Sequence, residues 1–167
     1  MKLIHHPTAT ISAIALSFAA TTASAGDVLQ EKNISLDLAN EAVTAAVQFC
    51  QGKGWKVSAA VVDRAGLLKA LQRADGAGPH TVDAGRRKAY TAASTRNNTS
   101  AILDTIQNNP AAANLSMIDG FLILGGGMPI RIGDEVIGAI GVGGAPGGHL
   151  DDQCAQAGID KISDRLK

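Results

Sequence analysis

Two histidines are the residues of this sequence whose type and setting best suit metal chemistry. Beyond the first 25 residues, His80 and His149 are the only histidines, and each stands beside a glycine-rich stretch. Each also lies just before a predicted helix, where the positive end of the helix dipole disfavours the imidazolium and keeps a neutral nitrogen free as a ligand. A surface histidine that caps a helix is the alternative for either residue. We interpret the pair as candidate metal ligands.

Lys88 and Asp75 are the other candidate binding residues. Lys88 falls two turns into the predicted helix after His80, and Asp75 falls in the Gly- and Pro-rich loop before it. A lysine in such a position is usually a solvated charge, and a turn carboxylate usually bonds its own backbone. As binding residues, both would line a binding site whose opening lies between the two histidines. No serine stands in a GxSxG motif, so we assign no catalytic residue.

Two glycine-rich stretches, residues 125–127 and 143–148, invite a nucleotide-binding interpretation that their spacing does not support. Neither contains GxGxxG or a P-loop. The first is expected between antiparallel strands, where glycine marks a bulge or a close backbone approach. The second precedes a helix whose amide groups could hold an anion.

The elements that would position these residues follow from hydrophobic periodicity and turn residues. Ser35 caps a first helix, and Val57–Val62 is apolar on both faces, as in a central strand. The predicted order is helix, two strands, one or two helices, three strands, helix. The later strands are placed at Phe121–Leu124, Met128–Ile132 and Val136–Val142. This order predicts an α+β fold with one five-stranded antiparallel sheet and helices packed on it.

The N-terminus has the pattern of a cleavable signal peptide. Lys2 precedes an apolar run, and Ala23-Ser24-Ala25 supplies the small residues that signal peptidase requires. The run is shorter than the ~20 residues a membrane-spanning helix needs. We therefore expect a signal peptide over 1–25, a tail over 26–33 and one domain over 34–167, periplasmic or secreted and free of the membrane after cleavage.

Composition argues against nucleic-acid binding. Cleavage would remove Lys2 and no acid, which takes the formal charge from 0 to −1, and only 3% of the residues are aromatic. A nucleic-acid-binding protein normally carries a basic face or stacking aromatics.

Several short motifs, in order, resemble one known family. The hairpin Val61-Val62-Asp63 with Gly66 resembles its VVDxxGxL motif. The other resemblances are Arg73–Ala77 to RMDGA, Lys88–Ala92 to KAYTA, Gly125–Ile130 to GGGVPI, Glu135–Val142 to EVVGAIGV, and Asp151–Gly158 to DxxCAxAG. The family is the GlcG/HbpS-type haem-binding family, which also includes the C-terminal domain of PduO-type proteins. The resemblance covers roughly residues 34–166.

The resemblance implies a profilin-like fold, homo-oligomers, and binding of haem or, in some members, a corrinoid. Members are often accessory or sensor-associated proteins rather than well-defined enzymes. We therefore expect an exported haem-binding protein for haem capture, storage or sensing. The alternatives are an enzyme or accessory acting on a small organic metabolite or corrinoid, and an oligomeric interaction module that binds nothing.

The resemblance also bears on the histidines and the cysteines. In the sheet order it implies, the second and fifth strands flank the first, so the loops carrying His80 and His149 emerge at one end. Both histidines depart from the usual family residues at their positions. Export makes a Cys50–Cys154 bridge chemically possible, and spacing does not decide it. Because Cys154 matches a family residue with or without a partner, we favour free thiols.

Overall fold

The computed structural model describes Met1 and residues 28–167. The apolar run and the cleavage site of the expected signal peptide lie outside the described residues, so export stays a prediction. The chain divides into two units, Met1–Gln30 and Glu31–Lys167, and the second contains every helix and strand described. No helix within the described residues is long and apolar enough to cross a membrane.

Four helices and four strands make up the second unit, with two short 3₁₀ segments. The helices are α1 (Leu36–Gly52), α2 (His80–Thr95), α3 (Thr99–Asn108) and α4 (Gly148–Ile162). The strands are β1 (Ser58–Asp63), β2 (Leu68–Arg73), β3 (Gly127–Ile132) and β4 (Glu135–Gly143). The 3₁₀ segments are Pro110–Met117 and Ser163–Arg165. Ser35 caps α1 as predicted, because its hydroxyl accepts a hydrogen bond from the Leu38 N–H at 3.3 Å.

The sheet has the order β2-β1-β4-β3, and every neighbouring pair is antiparallel. The described residues therefore form four strands, not the predicted five. Phe121–Leu124 is not a strand because side chains of α2 satisfy its backbone: the Leu122 N–H donates to Thr91 Oγ1 at 2.9 Å, and Arg87 donates to the Phe121 carbonyl. The α+β class is confirmed, and the profilin-like label stays a prediction.

Helices cover both faces of the sheet. On one face, α1 and α4 pack over residues such as Val61 and Ile140 to form the larger core. On the other face, α2 packs over Val62 and Ala139 through its alanines. Because successive strand residues point to opposite faces, β1 is apolar on both sides, as its sequence predicts.

Helix α2 lies unusually close to the sheet along a seam formed by Gly85 and Gly141. A Cβ at Gly85 would stand 3.1 Å from the Gly141 carbonyl oxygen and 3.3 Å from that of Ser58. Glycine at both positions lets the helix and strand backbones meet directly. Thr81, near the start of this helix, is buried, and its hydroxyl is hydrogen-bonded to the Ser58 hydroxyl at 2.7 Å.

A disulfide joins Cys50 of α1 to Cys154 of α4, with a Cα–Cα distance of 5.7 Å. The expectation of free thiols was wrong. The two helices lie side by side on the same sheet face, where a Cβ at Gly158 would stand 2.6 Å from the Ala42 carbonyl oxygen. This close approach brings the two fully buried cysteines within the range of a bridge.

Candidate functional site

The sheet order brings two distant loops to one end of the domain. Both β2 and β4 run antiparallel to β1, so their last residues, Arg73 and Gly143, lie at the same end. Here the register pairs Ser58 with both of them. The loop after β2 leads into α2 at His80, and the loop after β4 leads into α4 just before His149. The predicted meeting of these two loops is confirmed.

A cavity of about 280 Å³ lies between these loops. Helix α2 contributes His80, Ala84 and Lys88, and the N-terminal part of α4 contributes Asp151. The rest of the lining is Leu124 with Gly143, Gly144, Ala145, Gly147 and Gly148. The wall is therefore mostly backbone and small side chains, with one imidazole and one ion pair.

The four predicted site residues have different positions relative to this cavity. His80 is exposed and lines it, and its ring lies over Gly78, where a Cβ would stand 2.7 Å from His80 Cε1. His149 is exposed in the first turn of α4, its ring lies over Gly147, and it does not line the cavity. Asp75 is exposed and also lies outside the lining, contrary to our expectation for the mouth. The described residues contain no group of three or more His, Cys, Asp or Glu suited to a metal ion.

Lys88 is not the solvated charge that its position suggests. Its side chain is 4% exposed, and its ammonium group donates to Asp151 Oδ2 at 2.7 Å and to the Val142 carbonyl at 2.9 Å. The other Asp151 oxygen accepts from the Ala145 N–H at 3.0 Å. This buried pair therefore ties α2, the end of β4, the following loop and α4 together.

The environment of Asp151 changes its acidity. Burial raises the pKa of its carboxyl above the usual value, and the Lys88 charge and hydrogen bond only partly offset that effect. The sequence pattern singled out Lys88 as a candidate binding residue but not its partner Asp151. The two residues are 63 positions apart in sequence, and only the seam between α2 and the sheet brings them together.

Asp152 is a second acidic residue that links the elements around the cavity. Its carboxylate accepts from the Ser100 hydroxyl and from the Gly126 N–H. Ser100 lies in the first turn of α3, which begins after Asn98. The adjacent acidic pair Asp151-Asp152 within the last motif was the available sequence signal for these contacts.

The triple glycine allows a close approach of backbone segments, which is one of the two roles expected for glycine at this position. A Cβ at Gly126 would stand 2.5 Å from the Val142 carbonyl oxygen and 2.6 Å from Asp151 Cβ. Gly126 also has a φ of 115°, which other residues rarely adopt. Gly127 begins β3, so the stretch does not lie between two strands as expected.

A second cavity, of about 320 Å³, lies beside the C-terminal end of α2 and is lined by Arg64, Arg96 and Glu31 among others. Arg64 pairs with Glu31 at 3.2 Å and with Glu135 at 2.6 Å. Burial raises the pKa of Glu135. The Arg64 hydrogen bond and the nearby charges of Arg64 and Lys32 lower this pKa by more, so the net shift is downward. Internal partners already use the Arg64 charge.

Comparison with known proteins decides the family. A profile described as "Haem degrading protein HbpS-like" matches residues 34–160. The chain belongs to the HbpS-like family. The GlcG protein of Escherichia coli K12 is 33% identical over 109 residues, which are 65% of this chain and 80% of that protein.

Solved structures agree with the HbpS-like assignment. A double mutant of Streptomyces reticuli HbpS superposes with a TM-score of 0.77 at 39% identity, covering 86% of this chain and 97% of that one. Klebsiella pneumoniae protein ORFY gives 0.78 at 29% identity, covering 84% and 98%. A PduOC:heme complex gives 0.72 at 24% identity, covering 78% and 95%, and shows likeness of fold alone.

Proposed function

We propose that this chain is an exported haem-binding protein that captures, stores or senses haem. The profile of its family is described as that of a haem-degrading protein, which supports a haem ligand. The observation that carries the proposal is His80, an exposed imidazole on the wall of a cavity between two glycine-rich loops. In this proposal His80 would be the protein ligand of the haem iron.

The chemistry of the residues present fits a haem group. Imidazole is a common axial ligand of haem iron, and Leu124, which is 51% exposed, offers an apolar contact for the macrocycle. The N-termini of α2 and α4 offer N–H groups to propionates. The cavity is at the small end of ligand pockets, so a macrocycle would be held at the mouth and stay partly exposed. Bound haem would supply iron-centred redox chemistry there.

The test is a hemin titration of the chain beginning at Gly26, followed by absorption spectroscopy. We expect a saturable Soret shift, and we expect His80→Ala to weaken binding by about tenfold or more. His149→Ala is the matched control, because it removes the other helix-end histidine without touching the cavity lining. Wild-type affinity and spectrum in both single variants and in the double variant would refute ligation by histidine.

The same titration separates the alternatives. A flat response to hemin together with a saturable response to a corrinoid would move the assignment to corrinoid binding. A flat response to both favours a small organic metabolite or a module that binds nothing. Mass spectrometry of the exported form tests cleavage after Ala25, and light scattering tests the homo-oligomer that we propose from the family.

A further inference from the structure

The ammonium group of Lys88 is buried and is held by two hydrogen-bond acceptors. A lysine has three N–H donors, and the structure supplies two acceptors, Asp151 Oδ2 and the Val142 carbonyl. Lys88 is nevertheless one of the residues that line the 280 Å³ cavity. Its nitrogen is thus held at a defined point behind the cavity wall, and two of its three N–H donors have partners among the described residues.

The surroundings of this nitrogen hold it rigidly. A Cβ at Gly126 would stand 3.0 Å from Lys88 Nζ, so the backbone at Gly126 packs directly against the amine. Asp151, itself 4% exposed, also contacts the amine, accepting its hydrogen bond at 2.7 Å. Stability alone is a weak reason for such a pair, since apolar residues of similar volume often replace buried ion pairs without loss.

We propose that Lys88 captures small aldehydes or ketones that enter this cavity as a covalent imine. The ammonium gives a proton to water, and the free amine adds to the carbonyl carbon to form a carbinolamine. The proton returns as the carbinolamine hydroxyl leaves as water. The balance is one ammonium and one carbonyl giving one iminium and one water, with no oxidant or reductant consumed. Asp151 is a positioning residue that orients the amine.

The size of the cavity selects the ligand class. A volume of about 280 Å³ is at the lower limit for drug-sized ligands, so a carbonyl compound of a few heavy atoms fits and a macrocycle does not enter fully. The cavity wall around Lys88 consists mainly of residues with small, uncharged side chains, apart from Asp151 and the exposed His80. Such a wall favours an uncharged carbonyl compound. This capture needs no haem and is independent of the proposed function.

The experiment traps the imine with acetaldehyde and cyanoborohydride, which reduces the iminium ion and leaves the aldehyde and the disulfide of the folded, oxidised chain intact. Peptide mapping then compares N-ethylation of Lys88 with that of Lys69, which is exposed on β2. We expect Lys88 to be labelled about tenfold faster than Lys69, because its amine is pre-oriented toward the cavity. Ala84→Leu narrows the cavity, so it should slow the labelling of Lys88 and leave the labelling rate of Lys69 unchanged.

Two further arms separate this proposal from its neighbours. His80→Ala should keep the labelling even where hemin binding is lost, so failure of haem binding and failure of capture give different results. The same labelling in urea removes the influence of the fold. If exposed lysines are ethylated while Lys88 of the folded chain is unmodified, and Lys88 reacts only in urea, the proposal is wrong.

Discussion

The buried pair Lys88–Asp151 makes a sharp prediction for stability. In Asp151→Ala, the Lys88 ammonium keeps only the Val142 carbonyl as a partner, in a site where its side chain is 4% exposed. An uncompensated buried charge of this kind costs about 3–5 kcal/mol of the free energy of unfolding. Lys88→Met should cost less, because Asp151 retains the Ala145 N–H and its raised pKa makes it easier to protonate.

The replacement of both partners separates charge from packing. The double variant Lys88→Met, Asp151→Leu should lose less stability than the sum of the two single changes, because no charge is left unpaired. Urea unfolding followed by circular dichroism measures all three, with the disulfide kept oxidised. Glu41→Gln is the matched control: it breaks the pair with Arg165, whose side chains are 40% and 49% exposed, and should cost below about 1 kcal/mol.

The sign of the pH effect provides a second readout of this pair. Because the folded pKa of Asp151 is raised, its contribution to stability is fully present below the ordinary pKa of 3.8 and is lost as pH rises through the raised value. Asp151→Asn should flatten that part of the pH profile. A loss below about 1 kcal/mol in Asp151→Ala would show that solvent already reaches the pair, and the reasoning on burial would fail.

Three further predictions concern the disulfide, the triple glycine and the ion pair between Arg64 and Glu135. Cys50→Ala with Cys154→Ala opens a loop of 104 residues and should cost about 4–5 kcal/mol in urea unfolding; an unchanged midpoint would mean that the bridge adds nothing. Gly126→Ala should destabilise the chain by more than about 2 kcal/mol through backbone contact. Gly133→Ala, also at positive φ but with open space around it, should cost about 1 kcal/mol, and equal losses would contradict the contact argument. The pKa of Glu135 is lowered, so its contribution is present above 4.5 and is lost as pH falls through the folded value; Glu135→Gln should remove that acid-side loss, as seen in melting temperature against pH.

Local sequence patterns predicted the elements well where backbone partners are also local. The Ser35 cap and the β1–β2 hairpin have partners nearby in sequence, and both are confirmed. Strand β1 also pairs with the distant β4, and here the apolar residues on both of its faces were enough to predict a central strand. Phe121–Leu124 failed because Thr91 and Arg87, some 30 residues earlier, satisfy its backbone instead of a strand. The apolar content of residues 121–124 does not show whether their backbone pairs with a strand or with side chains.

The candidate site was predicted in outline and missed in its polar centre. The flanking of β1 by β2 and β4 brought His80 to the expected end of the sheet. The burial of Lys88 was not foreseen, because a lysine in an amphipathic helix normally faces solvent. It depends on an approach between α2 and the sheet that only paired glycines allow, and a spacing rule for one helix does not contain that information.

The seam between Gly85 and Gly141 leaves helix α2 little room to rotate or lift from the sheet. Under the proposed binding function, a change of ligand would therefore be accommodated by the other wall, the segment over residues 143–148. We expect substitutions in this segment to alter ligand preference more than substitutions in α2, provided that they keep the Ala145 N–H bonded to Asp151. A single architecture can diversify in this way by remodelling one short segment, without renewed optimisation of its core.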